Sequence, residues 1–126
     1  KKNNINYDLI LLSRIDICWL KSINFNNLNK NKFYSAIWGK NNYYSIKNNS
    51  FLAYWFISNI KNMIKFSKLF DNILIYLEKS NSWHYITKNH TNKFIDDYDI
   101  EYIFNDICSD NIDMDLQRYL SEKGII

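Results

Sequence analysis

Arg14 and Asp16 stand two residues apart, where the apolar run Leu9–Leu12 gives way to polar residues. On an extended chain, side chains two apart point the same way. An aspartate at the carboxyl end of a strand can hold a hard cation such as Mg2+ or Mn2+, which takes oxygen ligands and commonly uses one or two carboxylates plus substrate phosphates. An arginine beside it offers a planar fork of donors that matches a phosphate. Together the two could grip a diphosphate. They could equally form a salt bridge that closes the strand end.

Other chemistry-bearing residues point less far. His84 and His90 are the two histidines. Six apart, they fall on different faces of a helix, and without a nearby cysteine they read as half-buried polar residues rather than a zinc site. Asp96, Asp97 and Asp99, then Asp106, Asp110, Asp113 and Asp115, make the second half acidic. They lack the glycine and closing glutamate of an EF-hand. They read as solvated loops, from which one carboxylate could serve as a general base or a second metal ligand. Lysine and tyrosine are plentiful, but the lysines are scattered, acids nearly match them, and no RNP or zinc-finger pattern occurs, so no nucleic-acid partner is expected. The sequence contains no GxGxxG, GxxxxGK[ST], HExxH or GxSxG. Cys18 and Cys108 fit no CxxC pattern; they could form one disulfide, but read first as two buried thiols in a reducing compartment, and the chain is expected in the cytoplasm.

The elements that would position Arg14 and Asp16 can be read from the apolar pattern. Asp8–Leu12 with the following Ser13–Ile17 reads as a strand buried on both faces, of the kind found in parallel or mixed sheets covered by helices. Asparagine makes up five of the eight residues from Asn24 to Asn31, a loop by composition. Phe33–Trp38 reads as a short strand, Gly39–Asn42 as a turn, Tyr43–Ile46 as a further extended piece and Asn48–Asn49 as a second turn. Phe51–Ile57 is a third strand. Ser58 or Asn59 can cap a helix in which Ile60, Met63, Ile64, Leu69, Phe70, Ile73, Leu74 and Leu77 recur at helical spacing over roughly five turns. Ser82–His90 reads as a shorter helix, Ile100–Asn105 as a strand, and Asp113–Lys123 as a helix stopped by Gly124.

Composition sets the outer bounds. The 126 residues carry 16 Lys+Arg against 13 Asp+Glu, a net charge of +3, too mild to demand an anionic partner. That length fits one domain. Aromatic residues at 17% and apolar residues at 47% are enough for a packed core. Asn (20), Ile (20), Lys (14) and Tyr (10) together make up half the chain, and all four have codons rich in A and T. Many asparagines and lysines therefore read as surface filler. With 2 Gly and 0 Pro, turns must rest on Asn, Asp and Ser. No apolar run reaches the ~18 residues of a membrane span. The chain opens almost directly into a strong strand and closes on Gly124-Ile125-Ile126, and it reads as an excerpt of a longer protein.

Three segments carry a resemblance. Tyr7-Asp8-Leu9-Ile10-Leu11-Leu12-Ser13-Arg14-Ile15-Asp16 resembles the "YDLVI-x-x-R-x-D" segment of bacterial and viral glycosyltransferase-like proteins of polysaccharide synthesis. Phe51 to Met63 is similar to their "D-x-F-x-x-G/S-x-x-x-x-M" segment before a long helix, and Asp115-Leu116-Gln117-Arg118-Tyr119-Leu120 to Gly124-Ile125 to their closing "E-x-x-L-x-x-Y-L-x-x-x-G-I". The order and spacing agree, and the three together span most of the chain. The resemblance implies an α/β fold: a mixed sheet flanked by helices, as the C-terminal part of a GT-A type nucleotide-diphospho-sugar transferase. It implies a divalent cation, Mn2+ or Mg2+, held by Asp16, with Arg14 stabilising the leaving diphosphate. The partners it implies are a nucleoside diphosphate sugar and a glycan acceptor. Trp38, Tyr43, Tyr44, Tyr54 and Trp55 could supply platforms for sugar rings, or pack in the core. Two departures stand out: the aspartate of the second segment falls near Tyr54, and the nucleotide-binding half of such a fold would precede residue 1. The alternative is a non-catalytic α/β module that binds a glycan or a protein.

Overall fold

A computed structural model describes residues 6–38, 47, 49–105 and 112–126. The chain is mixed α/β. One sheet has four strands in the order β1-β4-β3-β5, formed by β1 (Ile10–Ser13), β3 (Phe33–Ile37), β4 (Leu52–Ser58) and β5 (Ile100–Asn105). β1 and β3 each run antiparallel to β4, and β5 runs parallel to β3. A two-stranded ribbon pairs β2 (Ile17–Trp19) with β6 (Met114–Leu116). The helices are α1 (Ile60–Ser67), α2 (Ile73–Leu77), α3 (Trp83–Thr91) and α4 (Gln117–Glu122).

Helices cover one face of the sheet. There Phe33, Phe51 and Phe56 pack with Phe66, Leu69, Tyr76 and Ile86. On the other face Tyr34, Ala36, Leu52, Trp55 and Ile57 pack with Met114 of the ribbon and with Trp19. The sheet is thus covered by helices on one face and by the ribbon and its loops on the other.

The residues explain most of the element ends. Asn59 caps α1 through a bond from the Asn62 N–H (2.9 Å), and Ser82 caps α3 from the Tyr85 N–H (3.4 Å). Gly124 closes α4 at φ +67, the left-handed conformation glycine adopts without cost. The Asn24–Asn31 loop is folded by asparagine side chains: Asn24 Oδ1 accepts from the Asn26 N–H and Asn29 Oδ1 from the Asn31 N–H.

Three sequence expectations are corrected. Among the described residues β1 is an edge strand, paired only with β4, and its Leu11 and Leu12 are 37% and 45% exposed rather than buried on both faces. The long helix after Asn59 is two helices. Lys68 N–H and Leu69 N–H turn to the carbonyls three residues back, and Asn72 Nδ2 takes the Lys68 carbonyl. The segment tightens into a 3-10 turn at Phe70–Asn72 before α2. This break changes the buried face: Met63, Phe66, Leu69 and Tyr76 enter the core, while Ile64, Phe70 and Leu74 are exposed. Finally, Met114–Leu116 pairs with β2 as a strand, so the last helix begins only at Gln117. No helix among the described residues is long and apolar enough to cross a membrane.

Candidate functional site

β1 delivers Arg14 to the edge of a cleft between the sheet and the helices. The cleft is about 170 Å3, and its lining includes Leu12, Tyr54, Phe66, Phe70 and Trp83, with Arg14 at the rim. That is room for one six-membered ring, since a cavity of ~150 Å3 admits benzene.

The backbone of Arg14 is fixed by β4: its N–H donates to the Tyr54 carbonyl (3.1 Å). Its side chain folds back on Asp16 across a turn rather than along an extended strand. Nε donates to Oδ1 (2.9 Å) and Nη2 to Oδ2 (2.8 Å), a bidentate pair with both side chains nearly half exposed. The Arg14 guanidinium holds the Asp16 carboxyl below the usual carboxylate range, and Asp16 in turn raises Arg14 further. The Asp16 carbonyl accepts from the Gln117 N–H (3.0 Å), which docks α4 against the turn. The ribbon behind it is held by Asp113. Its carbonyl accepts from the Leu20 and Lys21 N–H groups, and its carboxylate pairs with Lys21 and accepts from Asn105. Burial alone would raise the Asp113 carboxyl, but Lys21 and the Asn105 donors hold it low.

An irregularity in β4 builds the rest of the site. β3 meets β4 at Ser35↔Phe56 and then at Ala36↔Leu52, so residues 53–55 of β4 bulge out of that ladder. The Ala53 N–H is thereby free to donate to His84 Nδ1 (3.1 Å), and the Phe51 N–H donates to the His84 carbonyl. The neutral imidazole therefore carries its proton on Nε2. Burial pushes His84 below its ordinary value, and the nearby Arg14 charge adds to the effect. Trp38 lies against His84 with ring centroids 4.6 Å apart, Tyr54 lies 6.5 Å from it, and the Arg14 guanidinium sits 5.9 Å from the Tyr54 ring.

The structure brings together Arg14, Asp16, Tyr54 and Trp38 of the residues singled out from sequence. Trp55 is fully buried and belongs to the core. Tyr43 and Tyr44 lie outside the described residues, as do Cys108, Asp106 and Asp110. The acidic loop is engaged elsewhere: Asp97 pairs with the buried Lys88, Asp99 with Lys32, and Asp96 accepts from Tyr98; Asp115 accepts from the Leu116 N–H. Among the described residues no group of three or more His, Cys, Asp and Glu gathers as a metal-binding cluster. Sequence reasoning set His84 aside. The signal that could have found it is the Ser82 cap, which puts residue 84 in the first turn of α3 beside the preceding strand.

Comparisons with protein-family models, with curated proteins and with solved structures find no match.

Proposed function

We propose that the chain is part of a GT-A type glycosyltransferase that moves a sugar from a nucleoside diphosphate donor to a glycan acceptor in the cytoplasm, with Mn2+ or Mg2+ as the cation. One observation carries this reading. The three segments that resemble polysaccharide-synthesis transferases, far apart in sequence, meet at the Arg14–Asp16 turn: the first bonds the second through Arg14 N–H to the Tyr54 carbonyl, and the third through Gln117 N–H to the Asp16 carbonyl.

The residue chemistry fits a diphosphate and a cation together. Asp16 supplies one carboxylate, which suffices for a cation that draws its other ligands from phosphate and water. Arg14 would turn its fork from Asp16 to the diphosphate, so that each charged group exchanges one partner for another and neither is left bare. Tyr54 and the ring-sized cleft, with Trp38, Tyr43 and Tyr44, would take sugar rings. Thermal shift of the chain with UDP and GDP, with and without Mn2+, tests this. A rise in melting temperature that needs both nucleotide and Mn2+ and is lost in Asp16→Asn is expected. Nucleotide binding that ignores Mn2+, or survives Asp16→Asn, sinks the assignment.

A second reading is favoured by the bidentate bond that already joins Arg14 to Asp16 and by the apolar lining of the cleft. In that reading the chain is a non-catalytic module whose cleft takes a glycan or a protein side chain. It requires binding that is indifferent to Mn2+ and retained in Asp16→Asn.

A further inference from the structure

The cleft beside β1 is walled largely by rings and carries one charge. Leu12, Phe66, Phe70 and Trp83 line it, and among the described residues of its lining Arg14 alone is charged. Leu12, Phe70 and Trp83 stay exposed, so the mouth is apolar surface left in water. The Ser13 and Thr87 hydroxyls of the lining are committed within the chain. Ser13 Oγ donates to the Arg14 carbonyl (3.0 Å), and Thr87 Oγ1 to the Trp83 and His84 carbonyls (3.0 and 3.1 Å). An aromatic ring asks nothing of them. It covers the apolar wall and meets Phe66, Phe70 and Trp83 through offset or edge contacts.

Arg14 keeps donors to spare. Its bond to Asp16 uses Nε–H and one Nη2–H. Both Nη1 hydrogens and the second Nη2 hydrogen remain. One Nη1–H and that Nη2–H lie side by side on the second edge of the fork and match the two oxygens of a carboxylate. Asp16, bonded to the first edge, already orders the guanidinium, which lowers the cost of a second partner. Charge narrows the class of that partner. Arg118 of α4 is near enough to Asp16 to help hold its carboxyl low. Arg14 and Arg118 against Asp16 leave this group one positive charge in excess. One carboxylate neutralises it, whereas the second charge of a phosphate monoester would face Asp16 across the same guanidinium.

We propose that the cleft binds a small aromatic monocarboxylate, its ring among Leu12, Phe66, Phe70 and Trp83 and its carboxylate on the free Nη1–Nη2 edge of Arg14. The volume of about 170 Å3 takes one benzene-sized ring. The Arg14–Asp16 bond persists in the complex. No cation or diphosphate takes part, so the proposal does not rest on the transferase reading. In a transferase the same ligand would hold the cleft against a sugar ring and act as a competitor.

Ligand-observed NMR on the whole chain, without metal, tests this. Benzoate, phenylacetate and 3-phenylpropanoate set the carboxylate at increasing reach from the same ring. At least one is expected to bind, in the millimolar range that one ring and one ion-paired contact allow. Acetate, which has the charge without the ring, and the alcohol corresponding to the bound acid are expected to bind about tenfold more weakly or less. The same loss is expected for the acid with Arg14→Gln. Phe70→Ala removes an exposed ring from one wall, which leaves the core intact, and should weaken binding several-fold. It gives the independent reading should Arg14→Gln fail to melt cooperatively. No binding by any of the three acids, an alcohol held as tightly as its acid, undiminished binding in a folded Arg14→Gln, or undiminished binding in Phe70→Ala would each overturn the proposal. Failure of UDP or GDP to bind with Mn2+ would sink the transferase assignment and leave this site standing.

Discussion

Removing one hydroxyl, in Tyr76→Phe, should expose how the helices are locked together. Tyr76 of α2 and His90 of α3 are both buried, at 4% and 5% exposure. Tyr76 Oη lies 2.9 Å from His90 Nδ1, and His90 Nε2 lies 3.1 Å from the Lys65 carbonyl of α1. A carbonyl only accepts, so Nε2 carries the proton, Nδ1 is the acceptor and Tyr76 donates. The three helices thus share one imidazole. Phenylalanine keeps the ring, and with it the edge contact to His90 (5.7 Å) and the Lys93 ammonium 4.6 Å from the ring centroid. What goes is the donor, leaving Nδ1 buried and unpaired, at a cost of about 2 kcal/mol. For a domain of this size that is roughly 8 °C in melting temperature.

The same bond has a pH signature. Burial pushes His90 below its ordinary value, and Lys93 adds to the effect, so the folded protein binds its proton less readily than the unfolded chain does. The stability this contributes is full above the unfolded value of about 6.5 and is lost as pH falls from there through the folded value. Burial shifts His84 the same way, so two groups make up this acid limb. Asp16 and Asp113, whose carboxyls are held low, act only below about pH 4, where their contribution is lost as pH falls. Tyr76 favours the neutral ring, so Tyr76→Phe should lift His90 back toward 6.5 and flatten the limb. Melting curves from pH 5 to 8 read both effects, and a cycle with His90→Leu should give a coupling of about 1 kcal/mol or more. An unchanged melting temperature at pH 7.5 together with an unchanged acid limb would refute the assigned proton positions.

Two further perturbations follow from the packing. Phe66→Ala should cost about 3–5 kcal/mol in urea unfolding, because Phe66 is buried against Phe33, Phe56 and His90 beneath the cleft and its loss leaves a void. Gly124→Ala should cost about 1–2 kcal/mol by the same measurement, all of it backbone strain, since φ is +67 and nothing lies within 4 Å of the added methyl.

Element types were legible wherever the signal is local. The strands at Phe33–Ile37, Leu52–Ser58 and Ile100–Asn105, the caps at Asn59 and Ser82 and the stop at Gly124 each depend on residues adjacent in the chain. What could not be read is which strand lies beside which. Ile10-Leu11-Leu12 looks like a strand buried on both faces because apolarity reports burial potential, not neighbours, and its place at the sheet edge is decided by pairings with residues more than forty positions away. The helix after Asn59 has apolar residues on more than one face. Within α1, Phe66 shares the buried face of Met63 while Ile64 is exposed; burial of Tyr76 rather than Leu74 follows the 3-10 turn at Phe70–Asn72, which no glycine or proline announces.

The site shows the same division. Arg14 and Asp16 were legible as a pair because two residues suffice to define it, and their mutual bidentate bond is the bland outcome of that spacing. His84 was not, because its role rests on a bulge in β4 that frees the Ala53 N–H, a feature with no sequence mark beyond the dense run Phe51–Ile57. Phe104 is a parallel case. It sits at φ 63 where β5 passes from Ile103, opposite Ala36, to Asn105, opposite Ile37. A bulky residue accepts that conformation only when the surroundings hold it there, here Trp19 and Trp55 against its ring.

Arg14 sets the terms of the proposed function. Its N–H is held by the Tyr54 carbonyl of β4, while its guanidinium is half exposed and bonds Asp16 through one edge, Nε and Nη2. Arginine carries five N–H donors, so the edge formed by Nη1 and the second Nη2 hydrogen can meet an anion while the bond to Asp16 persists. In the proposed function, a diphosphate that also takes the Nε edge frees Asp16 for a cation, so nucleotide and cation support each other, and by linkage the support is equal in both directions. The exposed, exchangeable Arg14–Asp16 bond is what makes that coupling possible.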